Sequence, residues 1–115
     1  PAALPALDQA AALLDGARLA FEASVREHES HRRYLAQVYE YLGETHQWQG
    51  YAHELALEYP EAKQAYEKAL ASYELCIAQA EDTPDLIIRD QIVGLYCQPY
   101  ALDVQSQLEI FNGEQ

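Results

Sequence analysis

Four histidines are the residues of this sequence best suited to chemistry. His28 and His31 stand three apart with Glu27 beside them. A helix would put both imidazoles on one face, where they could hold a metal ion or pass a proton. His46 and His53 are seven apart, about two helical turns, too far for a shared ligand pair. Neither pair is completed. A di-iron bundle needs Glu-x-x-His twice, and a zinc hydrolase helix needs His-Glu-x-x-His. Neither motif occurs. Solvated or hydrogen-bonded histidines are the plainer reading, and no metal or other cofactor is expected.

The nucleophiles lead to the same conclusion. Ser24, Ser30, Ser72 and Ser106 sit in no strand–turn–helix elbow. A glycine-rich phosphate loop is missing, as is a basic patch with interleaved aromatics. The chain is therefore expected not to be an enzyme. Cys76 and Cys97 form no Cys-x-x-Cys and fall on different expected helices. They read as small buried thiols in a reducing compartment, with the cytoplasm as default.

Charge narrows the partners. The net charge of −12 is unevenly spread. Residues 1–33 carry five acids against four arginines, whereas residues 34–115 carry fourteen acids against Lys63, Lys68 and Arg89. A field of this sign repels nucleic-acid phosphates and anionic membranes and steers in a cationic partner. No apolar run approaches the roughly 20 residues a bilayer span needs. The chain contains no methionine, so it reads as trimmed or as a piece of something longer.

The elements that would position any site are helices. Half of the 115 residues are hydrophobic, glycine and proline number five each, and Ala, Leu, Glu and Gln are abundant. The expected fold is a single all-α domain over 1–115, with a frayed lead at 1–7 and tail at 112–115. A first helix should begin near Asp8 as N-cap and end in the polar "REHESHRR" stretch, 26–33. A second should start near 31–34, with Gly43 or Gly50 as weak points where a turn could fall. Pro60 opens a third helix running to about Ala80. "EDTPD" at 81–85 is a turn. A fourth helix should reach Gln98, and Pro99 should separate it from a fifth.

Two of these helices resemble a known family. In tetratricopeptide repeats the first helix carries an aromatic residue, then Leu-Gly, then a second aromatic, and the second helix alternates tyrosine with alanine. "YEYLGETH" supplies Tyr39, Leu42 and Gly43, with His46 at the second aromatic position. "YPEAKQAYEKA" supplies Tyr59, Ala62, Tyr66 and Ala69. The halves lie seven residues further apart than the family's 34-residue repeat permits. An alternative register restores the spacing with Gly50 at the glycine position, but puts Gln49 in place of the leucine and His46 in place of the first aromatic. The resemblance is thus to one degenerate, elongated repeat, with a partial second in Ala17, Phe21 and Ser24. It implies antiparallel helical hairpins with long helices. A small bundle of about five helices is the alternative.

The resemblance also implies a place for binding, since the family's concave face is lined by its first helices. Carried onto this sequence, that face comprises Gln37, Glu40, Glu44, Gln47 and Trp48. Glutamates beside an indole suit a peptide bearing Lys or Arg. The expected function is a scaffold or adaptor that binds a partner protein with a basic segment. A compact acidic inhibitor masking a basic surface is the alternative, and a homodimer joined through an aromatic stripe is a further option. Tyr34, Tyr41 and Trp48 also repeat at seven, a spacing that more often marks core than binding surface.

Overall fold

The computed structural model describes residues 3–113. It is all-α, with no strand among the described residues, and has four α-helices where the sequence suggested about five. These are α1 (Leu4–Val25), α2 (Arg32–Leu55), α3 (Tyr59–Ala78) and α4 (Gln98–Gly113). A 3₁₀ turn, Glu29–His31, joins α1 to α2, and a π-helical segment, Ile87–Cys97, runs directly into α4. The molecule measures 44 × 27 × 18 Å.

Most boundaries follow local chemistry. The polar stretch ends α1 as expected. Its start is earlier than Asp8, because Pro5 fits the first turn, where a missing N–H is no loss. Helix therefore already covers residues 4–7, and at the other end it covers 112–113. Ala3 is the N-cap of α1, and residues 1–2 and 114–115 lie outside the described residues. Asp8 is not a cap; its Oδ1 accepts a hydrogen bond from Gln49 Nε2 at 2.7 Å, tying α1 to α2. Helix α2 ends with Leu57 at a φ of 60°, and the Glu58 N–H donates to the His53 carbonyl at 2.8 Å. This left-handed closure commonly falls to glycine. Pro60 then sits in the first turn of α3.

Neither glycine of α2 makes a turn. Helix α2 passes through both, and each marks a place where a ring of α3 lies against its backbone. A Cβ on Gly43 would stand 2.5 Å from Tyr73 Cε1, and one on Gly50 2.6 Å from Tyr66 Cε1. Gly43 and Gly50 are seven apart, as are Tyr66 and Tyr73, so an antiparallel hairpin matches one pair to the other. Both tyrosines are fully buried. Tyr73 Oη donates to Gln47 Oε1 at 2.9 Å, and Tyr66 Oη donates to Glu54. A buried phenol thus has its polar end satisfied. Burial, reinforced by nearby carboxylates, raises both phenols above the ordinary range.

The expected break at Pro99 is absent. Asp85 Oδ1 accepts from the Ile87 N–H at 2.9 Å and caps the helical run. Through the π segment the wider turn links the Gln98 N–H to the Val93 carbonyl, five residues back. Pro99 follows as the second residue of α4, and the run continues through it where the turn has widened. Ile88, Ile92, Val93 and Cys97 form one buried stripe at steps of about four to five, continued by Ala101 and Val104.

The expectation of free thiols is overturned. Cys76 and Cys97 form a disulfide with a Cα–Cα distance of 6.2 Å, joining the end of α3 to the end of the π segment. Both are completely buried. They lie on different helices, as foreseen, but those helices pack side by side.

Candidate functional site

One face of α2, flanking the hairpin seam, carries Glu44, Gln47, Trp48 and Tyr51, spaced i, i+3, i+4, i+7. The facing side of α4 offers Tyr100, Asp103 and Gln107 at i, i+3, i+7. Between them, with Tyr73 of α3 as floor, lies a cleft of about 480 Å³. No lysine, arginine or histidine lines it among the described residues.

Its walls are aromatic. Trp48 and Tyr51 meet edge to face, with ring centroids 5.9 Å apart. Tyr73 and Tyr100 are 5.8 Å apart at 51°. Trp48 is 61% exposed and Tyr51 48%, so the rim is open while Tyr73 is wholly covered. The Tyr34, Tyr41 and Trp48 stripe is accordingly a solvent face and not core, with all three side chains exposed. Seven-residue spacing cannot tell a buried stripe from an exposed one.

Its electrostatics are one-signed. Burial raises the Glu44 carboxyl above the usual carboxylate range. Glu40, one turn earlier and only 6% exposed, is pushed up to about 7 by burial and then by the charge of Glu44. Glu44, Glu40 and Asp103 all act on the Tyr73 phenol. The Gln107 Oε1 is buried and has no hydrogen-bond partner among the described residues. A positive charge is what this lining lacks.

Of the five residues inferred for binding, the structure brings Glu44, Gln47 and Trp48 together in the cleft. It leaves Gln37 half-buried outside the lining and puts Glu40 beneath the surface. Tyr51 was open to inference, since it completes the helical face begun by Glu44. Tyr73, Tyr100, Asp103 and Gln107 come from other helices, and no spacing in the sequence links them to α2. Of the residues assigned to repeat packing, Tyr39, Leu42, Gly43, Ala62, Tyr66 and Ala69 are buried. Tyr59 is 50% exposed and meets Phe111 at 6.3 Å.

The histidines find ordinary partners. His31 Nδ1 pairs with Ser24 Oγ, His46 Nδ1 with Gln49 Oε1 at 2.8 Å, and His53 Nδ1 with Glu58 Oε1 at 3.0 Å. His28 stands by the His31 ring at 5.1 Å. No group of three or more metal-binding side chains occurs among the described residues. None of their helices is long and apolar enough to cross a membrane. The chain matches no protein-family profile, no curated protein and no solved structure.

Proposed function

We propose that this protein is a non-enzymatic interaction module whose α2–α4 cleft binds a positively charged segment of a partner protein. One observation carries the reading: an open cleft walled by four aromatic rings and flanked by Glu44 and Asp103, with no cation of its own. Aromatic faces and carboxylates attract the same ligand charge. The wider field agrees, because residues 34–115 hold fourteen acids and three bases. The same field disfavours nucleic acid and anionic membranes as partners.

The repeat-like reading belongs here too. In the α2–α3 hairpin Gly50 lies against Tyr66 and Gly43 against Tyr73, a close helix approach in keeping with a tetratricopeptide-like unit. The acidic-inhibitor reading competes with it, and salt separates the two. Binding of a charge decoy falls by orders of magnitude between about 50 and 200 mM salt, and binding through aromatic contact falls much less. The cytoplasmic expectation rests on free thiols; a buried Cys76–Cys97 bond favours an oxidising compartment instead.

The direct test is charge reversal on a panel of lysine-rich peptides. Glu40 is buried, so its reversal would attack the fold. Glu44→Lys is the cleaner variant. It should weaken peptide binding at least tenfold while leaving the circular dichroism spectrum unchanged. Undiminished binding by a folded Glu44→Lys protein ends the reading.

A further inference from the structure

The cleft's lining discriminates among cations. Rings from three helices line it: Trp48 and Tyr51, an edge-to-face pair, and half-buried Tyr100 on the open side, with covered Tyr73, tilted at 51° to Tyr100, beneath. The negative faces of such rings attract a diffuse positive charge without needing a hydrogen bond. The Tyr73 hydroxyl is already spent on Gln47, and Tyr73 itself has no exposed surface. The carboxylates stand to one side on each helix, Glu44 on α2 and Asp103 on α4.

A primary ammonium is compact and strongly hydrated, so bringing it into a partly desolvated site is costly. Tyr73 at the floor is wholly covered and Glu44 half-buried, so a group seated deep in the cleft gives up part of its water. A guanidinium gains most from a carboxylate it can grip with two parallel N–H bonds. A trimethylammonium group asks for neither. Its methyls lose little water and lie against ring faces, while its charge is felt by both carboxylates at longer range.

We propose that the cleft is a receptor for a quaternary ammonium head group, borne on a trimethylated lysine of the partner segment. The proposal rests on the preceding reading that the cleft binds a cationic partner. A volume of about 480 Å³ is within the range of pockets that enclose small ligands and leaves room for the lysine stem. The exposed rim of Trp48, Tyr51 and, one turn on, Leu55 gives the flanking peptide an apolar surface to cross. The surrounding acidic field favours a basic peptide over an isolated metabolite as the carrier.

Trp48 is the only tryptophan in the chain, so its fluorescence reports on the cleft directly. The probes are one basic peptide carrying lysine, trimethyllysine or the uncharged tert-butyl isostere, and free choline. Expected is a saturable change in Trp48 emission, with trimethyllysine at least tenfold tighter than lysine and more than tenfold tighter than the isostere. By calorimetry, Trp48→Ala should weaken trimethyllysine binding at least tenfold, and Asp103→Asn severalfold. Equal affinity for lysine and trimethyllysine overturns this inference while leaving the basic-segment reading intact. Equal affinity for the isostere overturns both, because charge would then play no part. Binding of choline but of no peptide refutes the partner-borne head group and the interaction-module reading together. Undiminished binding by Trp48→Ala removes the cleft from consideration.

Discussion

Gly43 lies beneath the ring of Tyr73, so close that a Cβ there would stand 2.5 Å from Cε1. On helix propensity alone, alanine would stabilise this position by about 1 kcal/mol. The buried ring cannot move aside without disturbing Gln47 and the cleft floor. Steric cost should therefore win, and Gly43→Ala should lose about 1–3 kcal/mol in urea unfolding, as should Gly50→Ala against Tyr66. Gly16 is the control. Nothing lies within 4 Å of a Cβ at that position, so Gly16→Ala should gain about 0.5–1 kcal/mol. Stabilisation by all three substitutions would show that the α2–α3 seam is looser than described.

The Cys76–Cys97 bond links residues 21 apart in the sequence. Loop-closure entropy in the unfolded chain then contributes about 3 kcal/mol. Replacing both cysteines by alanine should lower the unfolding free energy by at least that amount, since two small buried groups are also lost. The oxidised protein should be about 2 Da lighter than the reduced one by mass spectrometry, the two hydrogen atoms (two protons and two electrons) that the thiols give up on forming the bond. Two alkylatable thiols in unfolded, unreduced protein would contradict the bond.

Glu40 makes stability depend on pH in a sense opposite to that of a paired carboxylate. Its folded value of about 7 exceeds the ordinary 4.5. Between the two, the native chain holds a proton that the unfolded chain has released. Stability should thus fall as pH rises from about 4.5 through about 7, by roughly 1–3 kcal/mol. Asp15, Glu22 and Glu29 are lowered by their arginine partners, and their stabilisation is lost only as pH falls through the acid range. Glu40→Gln should flatten the slope between about pH 5 and pH 8. An unchanged slope in the variant would relieve Glu40 of this role.

The fold was readable wherever one residue's local chemistry settles a boundary. Pro60 and the "EDTPD" turn announce themselves, and the polar stretch at 26–33 ends a helix whatever surrounds it. What depends on a partner was not readable. Gly43 is a weak helix former until Tyr73 is placed against it, and then it is a seat. Pro99 is a breaker until the preceding turn widens to five residues. Cys76 and Cys97 become a bond only because the π segment packs along α3. The site divides in the same way: Glu44, Gln47 and Trp48 share one helix, whereas Tyr73, Tyr100 and Asp103 join them through tertiary packing alone.

Helix α1 contributes no fully buried residue and packs against α2. Leu14, Ala17, Phe21 and Val25 only lean on the core. Its polar links are few, chiefly Tyr39 Oη to Glu22 at 2.8 Å and Gln49 to Asp8. Such a helix can detach while the rest of the molecule persists. Amide hydrogens of α1 should exchange by this partial opening, well ahead of those beneath Tyr66 and Tyr73, which must wait for the whole chain to unfold. One rate for both groups would mean that the protein opens all at once. Two rates would mark α1 as a separate foldon, leaving α2, α3 and the disulfide-tethered C-terminal helix as the unit that holds the cleft.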